Sequence, residues 1–443
     1  MVGATTTGRR GHQAGLRIVT DFRVDADWVL AADGPIADGS VVVTNGAISW
    51  VGLTECAPLA ERTETVHGVL APGLIDAHTH LGLSWARALG PIEGHPVYDL
   101  FWPLEQSLTP DLVDAFAAAS AAEALLSGTT CVADHYFFAE ASVAATTRVG
   151  IRSVVGETIV VTEAPHSGPD SMPNAVAVAE RLGGLDLVHP VLAPHALDTV
   201  GDEVMREIIA EAERLDVPVH LHVAQSEREI ATLMERSGVG PVERLHDLGL
   251  FERRVVAAHC MYASAEGLAL LAAADTVAAI YCPTVHAHLG RTLRAAELRA
   301  AGGNVGLGTD AVPMQRRDLG AEVRAASALQ AVLTEDADAL PIAVAMEMAT
   351  VVNAEALGLG GVTGAIEVGL RADLVAHRTD RAVAAPFADP AALVAMSGPD
   401  LVDRVWVDGR LVVADGELVR ADQRAVVAAA NTARAELFER AGR

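Results

Sequence analysis

Residues 72–80 read Pro72-Gly73-Leu74-Ile75-Asp76-Ala77-His78-Thr79-His80, a short apolar run that ends in two histidines one residue apart. In an extended segment alternate side chains point the same way, so His78 and His80 project from one face. Two neutral imidazoles side by side are half of a metal site. Taken alone the pair decides little, because such histidines also sit at surfaces and in cores.

Outward from this stretch, apolar β-branched runs alternate with Ala-, Leu- and Glu-rich stretches of helical period. The runs fall at 69–76, 129–134, 151–159, 185–193, 217–224, 254–260, 276–282 and 304–310, and the helical stretches include 111–127, 202–215 and 262–274. Eight such repeats predict an α/β fold, a (β/α)8 TIM-type barrel over 71–364, although a doubly wound open sheet shares the pattern. The flanks read differently. Asp33-Gly34, Asp38-Gly39 and Asn45-Gly46 interrupt the first, and Asp408-Gly409 and Asp415-Gly416 the last. Between apolar runs these pairs signal hairpins. They predict a small β-sandwich made from both chain ends (16–70 and 365–443), with a closing helix over 422–440.

In a barrel the carboxyl ends of the strands converge on the catalytic face. There the fifth run carries His220-Leu221-His222, the sixth ends in His259 and the eighth in Gly308-Thr309-Asp310. Each has an ordinary reading: His220 as a hydrogen-bonded core residue, Asp310 as the cap of a turn. Histidines ending the first, fifth and sixth strands, with an aspartate ending the eighth, point together to a metal-dependent site.

At these residues the chain resembles the amidohydrolase superfamily, in the branch holding adenosylhomocysteine/methylthioadenosine, guanine and cytosine deaminases and the triazine hydrolases. PGLIDAHTH (72–80) is similar to that family's opening motif, VHLHVAQSERE (219–229) to its fifth strand, and VVAAHC (255–260) to its sixth. YCPT (281–284) and GLGTD (306–310) look like the seventh and eighth, and GAIEVGLRADLV (364–375) like the return to the sandwich. The resemblance covers nearly the whole chain. It implies that His78, His80, His222 and Asp310 hold one divalent metal, with Asp310 doubling as base. It implies that His259 touches the hydrolytic water or the substrate, that His195 binds substrate, and that the protein is a homodimer or higher homo-oligomer. A metal so held lowers the pKa of its water from about 15.7 to roughly 7, and the adjacent carboxylate takes the proton. Zinc suits nitrogen-rich ligands, with iron, manganese or cobalt as alternatives.

Composition narrows this further. All 32 basic residues are arginine. Without lysine there is no Schiff base, no phosphate-loop lysine, and no carbamylated lysine to bridge two metals as in binuclear relatives, so a mononuclear site is the consistent one. A net charge of -26 opposes binding to nucleic acid or anionic membranes. No apolar run approaches the roughly 20 residues of a membrane span. Residues 1–15 read as a loose tail rather than a signal peptide, and the four scattered cysteines as reduced thiols. A cytoplasmic protein with a small-molecule substrate is expected.

Four features depart from the family pattern or stand outside it. Gln225 occupies the place of a glutamate that, in deaminase members, protonates the ring of the heterocycle; an amide donates a hydrogen bond but delivers no proton. Either Glu227 or His259 takes over that role, or Gln225 orients a substrate that needs no ring protonation, such as an amide, urea or carbamate. His286 stands where members often carry Asn, as a substrate contact, a proton carrier or a packing residue. Arg316 and Arg317 follow Asp310, either clamping an anionic substrate or pairing with carboxylates such as Asp318 and Glu322. The loop 81–108 gathers Trp85, Tyr98, Phe101 and Trp102, as a lid over a flat substrate or as packing. Trp102 and His135 are further pocket candidates. His12, His67, His95, His166 and His189 read as structural. The expected function is a metal-dependent hydrolase of non-peptide C–N bonds, foremost a deaminase of an aminated purine, pyrimidine, pterin or triazine. The alternative is an amide, urea or carbamate hydrolase, and the third reading is a metal-containing binding protein without turnover.

Overall fold

The computed structural model describes residues 21–89, 96–162, 164–311, 313 and 315–443; His12, His95 and the start of the expected sandwich at 16–20 lie outside them. Two parallel sheets carry the short apolar runs. One holds Leu74–Thr79, Thr129–Tyr136, Arg152–Ile159 and Val188–Pro190, with Ala193–Pro194 paired to Arg152–Ile159. The other holds Val219–Val223, Val255–His259, Val277–Tyr281 and Asn304–Leu307 in that order. Their residues are almost all buried, as expected for parallel strands covered on both faces by helices. Single parallel bridges join the two sheets, Leu192 to Val219 on one side and Thr79 to Asp310 on the other. The expected helices form at Pro110–Leu126, Asp202–Leu215 and Ala265–Ala273.

The run expected as one strand at 69–76 is two. Val69–Pro72 ends the strand Arg62–Pro72 of the terminal sheet, and the parallel strand starts at Leu74. The chain changes sheets at Gly73, where any Cβ would lie 2.1 Å from Thr130 Oγ1; only glycine fits so close an approach.

Both chain ends meet in one continuous sheet of eight strands. Its order is Glu417–Leu418, Arg410–Ala414, Val402–Val407, Leu374–Arg378, Arg62–Pro72, Phe22–Ala31, Gly34–Thr44, Ala47–Leu53. The ends join where Leu374–Arg378 runs antiparallel to Arg62–Pro72. Asn45-Gly46, Asp408-Gly409 and Asp415-Gly416 all take positive φ at both residues, the conformation of two-residue hairpin turns. Asp38-Gly39, expected as a turn, lies inside the strand Gly34–Thr44. A buried ion pair from Arg152 to Asp373 (2.8 Å) ties this sheet to the parallel strands, and the helix Gln423–Arg440 closes the chain. Among the described residues no helix is long and apolar enough to cross a membrane.

Candidate metal centre and its pocket

His78 lies next to the end of the strand Leu74–Thr79 and His80 follows it directly; His222 lies in the strand Val219–Val223. Asp310 follows the last parallel strand, and its backbone N–H donates to His78 O at 2.8 Å. The register therefore brings residues 232 positions apart into contact. His80 Nε2 lies 3.2 Å from Asp310 Oδ1 and 3.2 Å from His222 Nε2, and His78 Nε2 lies 3.5 Å from the same Oδ1.

The outer nitrogen of each imidazole explains why the inner ones converge. His80 Nδ1–H donates to His135 O (2.5 Å) and His222 Nδ1–H to His195 O (2.8 Å). Carbonyl oxygens only accept, so both Nε2 atoms present lone pairs. His78 Nδ1 meets His220 Nε2 at 2.8 Å, which makes His220 a buried support rather than a ligand. His78 Nε2 is buried and has no hydrogen-bond partner among the described residues. Burial pushes His78 down to about 3 and His222 well below the ordinary histidine value, so both are the neutral form that binds metal. Burial alone would raise Asp310, but the imidazoles of His78, His80 and His259 gathered around it hold it well below the usual carboxylate range. Burial would lower His80, but Asp310 beside it raises it above the ordinary histidine value, so a metal there would take the place of its Nε2 proton. Three imidazoles and one carboxylate, with ligand atoms of His78, His80 and His222 within 4.8 Å of one another, fit one divalent ion of the zinc type.

His259 stands beside this set. Its ring stacks on His222 (5.3 Å between centroids), and its Nε2 lies 4.0 Å from Asp310 Oδ2. His259 and Asp310 both have positive φ, 78° and 56°. Left-handed backbone costs a non-glycine residue on the order of 1–2 kcal/mol, and such strain gathers where a site over-determines its geometry.

The set opens into a cavity of about 520 Å³ lined by His80, His222, His259 and Asp310 at its base. Trp102, Phe101, Phe137, Met261 and Leu289 form its apolar wall, and Glu105, Tyr136, His195 and Gln225 its polar points. Trp102 lies 5.7 Å from the His195 ring. The Thr199 hydroxyl donates to Ala196 O and so accepts from His195 Nδ1–H (2.9 Å). His195 Nε2 is therefore an acceptor. Gln225 Nε2 is buried and without a partner among the described residues.

The aromatic loop divides between the two roles expected of it. Phe101 and Trp102 line the cavity, whereas Trp85 is buried against Phe101 and against Phe438 of the C-terminal helix. Other expectations are corrected. His286 makes no wall of the cavity: the helix Pro283–His288 turns it inward, fully buried, with Nε2 3.2 Å from His259 Nδ1. His288, two residues on, lines the cavity instead. Neither arginine lines the cavity. Arg316 is 64% exposed and faces Glu123 at 3.7 Å. Arg317 is buried and donates to Asp310 O and His80 O, pinning the backbone of the two segments that carry the metal-facing groups. Glu227 starts the helix Glu227–Ser237 and is not a wall residue; within that helix, buried Glu229 accepts from the backbone N–H of Gln225 (2.8 Å).

Sequence reading missed Glu105 and Tyr136. Tyr136 O–H donates to Glu105 Oε1 at 2.5 Å, and burial pushes that carboxyl up to about 7. Nothing in the sequence set Glu105 apart from Asp99 in the same aromatic stretch.

A model of the amidohydrolase family matches residues 69–412, and the chain belongs to that family. It is 32% identical over 414 residues to a 5'-deoxyadenosine deaminase of Methanothermobacter thermautotrophicus, covering 91% of this chain and 96% of that protein. It is 33% identical over 441 residues to a 5-methylthioadenosine/S-adenosylhomocysteine deaminase of Halobacterium salinarum, covering 95% and 99%. A zinc-bound crystal structure of an adenosine deaminase from Xanthomonas campestris superposes with a TM-score of 0.89 at 30% identity, covering 95% of this chain and 99% of that one.

Proposed function

We propose that the chain is a hydrolytic deaminase of an aminated heterocycle, of the size and kind of a 5'-modified adenosine. One observation carries this: three imidazole nitrogens and the Asp310 carboxylate converge at the base of a mostly apolar cavity large enough for a flat ring with a substituent. The names of the relatives support the choice of ring. In the same reading His78, His80, His222 and Asp310 are the ligands. The parallel strands close a (β/α)8 barrel over 71–364, and the chain ends, 16–70 and 365–443, form a small β-sandwich domain against it. The protein works as a cytoplasmic homo-oligomer.

A divalent ion held by His78, His80, His222 and Asp310 would supply a water acidic enough to react near neutrality. Asp310, anionic throughout the working pH range, takes the proton of that water and returns it to the departing nitrogen. The new C–O bond replaces the C–N bond and ammonia leaves. His195 Nε2 accepts from the substrate, Trp102 lies along its face, and Gln225 Nε2 donates to a ring nitrogen or a carbonyl oxygen. The Glu105–Tyr136 pair offers a polar contact to the substituent.

A second reading has a specific observation behind it. Because Gln225 donates without delivering a proton, an amide, urea or carbamate whose carbonyl oxygen takes that hydrogen bond also fits. A zinc-loaded preparation assayed for ammonia release from 5'-deoxyadenosine, guanine, cytosine, a pterin and an aminotriazine separates the readings. Ammonia from any of them supports deamination. Amine plus carboxylate from an amide panel, with no ammonia from the ring panel, replaces it with the second reading. Full zinc content without turnover on either panel leaves a binding protein. Under the deaminase reading Gln225→Glu raises ammonia release; a fall on every substrate counts against it.

A further inference from the structure

We propose that His286 acts on the reaction through His259, by deciding which ring nitrogen of His259 carries the proton; the catalytic consequence rests on the hydrolase reading above. His286 is fully buried behind the cavity wall, and its Nε2 lies 3.2 Å from Nδ1 of His259, whose ring lines the cavity. One of the two nitrogens donates and the other accepts, and the distance alone does not choose.

Two observations choose. His286 Nδ1 is buried and has no hydrogen-bond partner among the described residues. If His259 donated, the proton of neutral His286 would sit on that nitrogen as an orphaned buried N–H, a group native structures rarely tolerate. If His286 Nε2–H donates, only a lone pair is left there. The other face of His259 agrees. Its Nε2 points toward Asp310 Oδ2 at 4.0 Å, so a proton on Nε2 is attracted to the carboxylate and a lone pair is repelled. Both place the proton of His259 on Nε2.

The metal-facing rings are set the opposite way. His80 and His222 give their Nδ1 protons to carbonyl oxygens, which frees Nε2 to bind a metal. His259 is given a donor as its partner instead of a carbonyl, and so enters the site as a hydrogen-bond donor. Asp310 is then the acceptor of the water's proton, and His259 holds the oxygen or nitrogen that the proton leaves or reaches. His286 is a positioning residue in this scheme and touches no reactant. His259, Cys282 and His286 also bring ligand atoms within 4.8 Å of one another, a spacing that a second metal would use, and the experiment distinguishes that case.

The test is nitrogen-15 NMR of histidine-labelled, zinc-loaded protein, with His259 assigned by its own substitution. It is read in the resting enzyme and is therefore independent of any substrate. Wild type is expected to show His259 protonated at Nε2 and bare at Nδ1. His286→Gln, whose amide N–H takes the place of Nε2–H, keeps that pattern; His286→Leu gives mixed tautomers. On the best substrate of the ring panel, kcat falls about 10–100-fold in His286→Leu, the usual loss for an outer partner of a metal-site group. KM and zinc content hold, and His286→Gln restores most of the rate. A wild-type His259 protonated at Nδ1, or a His286→Leu protein with the wild-type pattern, overturns the proposal. So does a second zinc per chain that is lost in His286→Leu. If His286→Leu fails to fold, the wild-type and His286→Gln spectra still decide.

Discussion

Arg317→Met is expected to destabilise the protein and loosen its metal together, because one guanidinium holds both edges of the site. Arg317 is 1% exposed. It donates to Thr309 Oγ1 (2.6 Å), Asp310 O (2.5 Å), His80 O (3.3 Å) and Ser120 Oγ (3.3 Å). Methionine fills much of the same volume, so the loss is of hydrogen bonds and charge. The carbonyl of Asp310 would be left buried and unpaired, at about 1–3 kcal/mol, while His80 O keeps the backbone N–H of Leu83 (3.1 Å). Asp76 would lose the positive charge that counters its burial; removing one member of a buried charge pair costs roughly 3–5 kcal/mol. Asp76 sits at about 6 and relieves part of this by taking a proton. The terms overlap, so the expected loss is about 3–5 kcal/mol in all. It is measured by urea unfolding of the zinc-loaded chain, alongside zinc retained after dialysis against a chelator. A variant that unfolds within about 1 kcal/mol of wild type and keeps its zinc would show that Arg317 is not the strut described here.

Asp310→Asn is expected to lower turnover by about 10²–10⁴, the usual weight of a general base, and to weaken zinc retention, while circular dichroism stays native; near-normal turnover refutes the role. Zinc at a thousand times its dissociation constant should raise unfolding free energy by about 4 kcal/mol over the chelated protein, and equal stability with and without zinc would exclude a native-state site. Stability should peak between pH 6.5 and 7. Nine histidines are held below their ordinary value of 6.5, so the unfolded chain binds more protons below that pH and stability rises with pH up to it. Glu105 is pushed up to about 7, and Glu229 and Glu322 to about 8. Above about 7 the folded chain therefore binds more protons, and stability is lost as pH rises on through 8. Denaturation midpoints still climbing from pH 7 to 8.5 would contradict this.

Much of the centre was legible in the residue order. His78-Thr79-His80, His222, His259 and Asp310 each end a short apolar run, and a strand end is a place that a sequence pattern marks. The hairpin pairs Asn45-Gly46 and Asp408-Gly409 were equally plain, because positive φ at two successive positions demands those residue types. Less legible was where side chains point in irregular segments. His286 reads as a pocket residue until the helix Pro283–His288 buries it, and Arg317 reads as a surface cation until it is found inside. Glu105 had no pattern to announce it, since its meaning depends on Tyr136, 31 residues away.

By itself the sequence determined the alternation of strand and helix, the absence of any lysine chemistry, and the identities of the groups that meet at the metal centre. These follow from local rules of periodicity and from the fixed chemistry of each side chain. Only the tertiary structure decided that the chain ends share one sheet, that Gly73 is the crossing between sheets, and which ring nitrogen faces inward. Such matters depend on contacts between residues far apart in sequence, where the partner of an imidazole or a guanidinium, rather than its neighbours in the chain, sets its charge and direction.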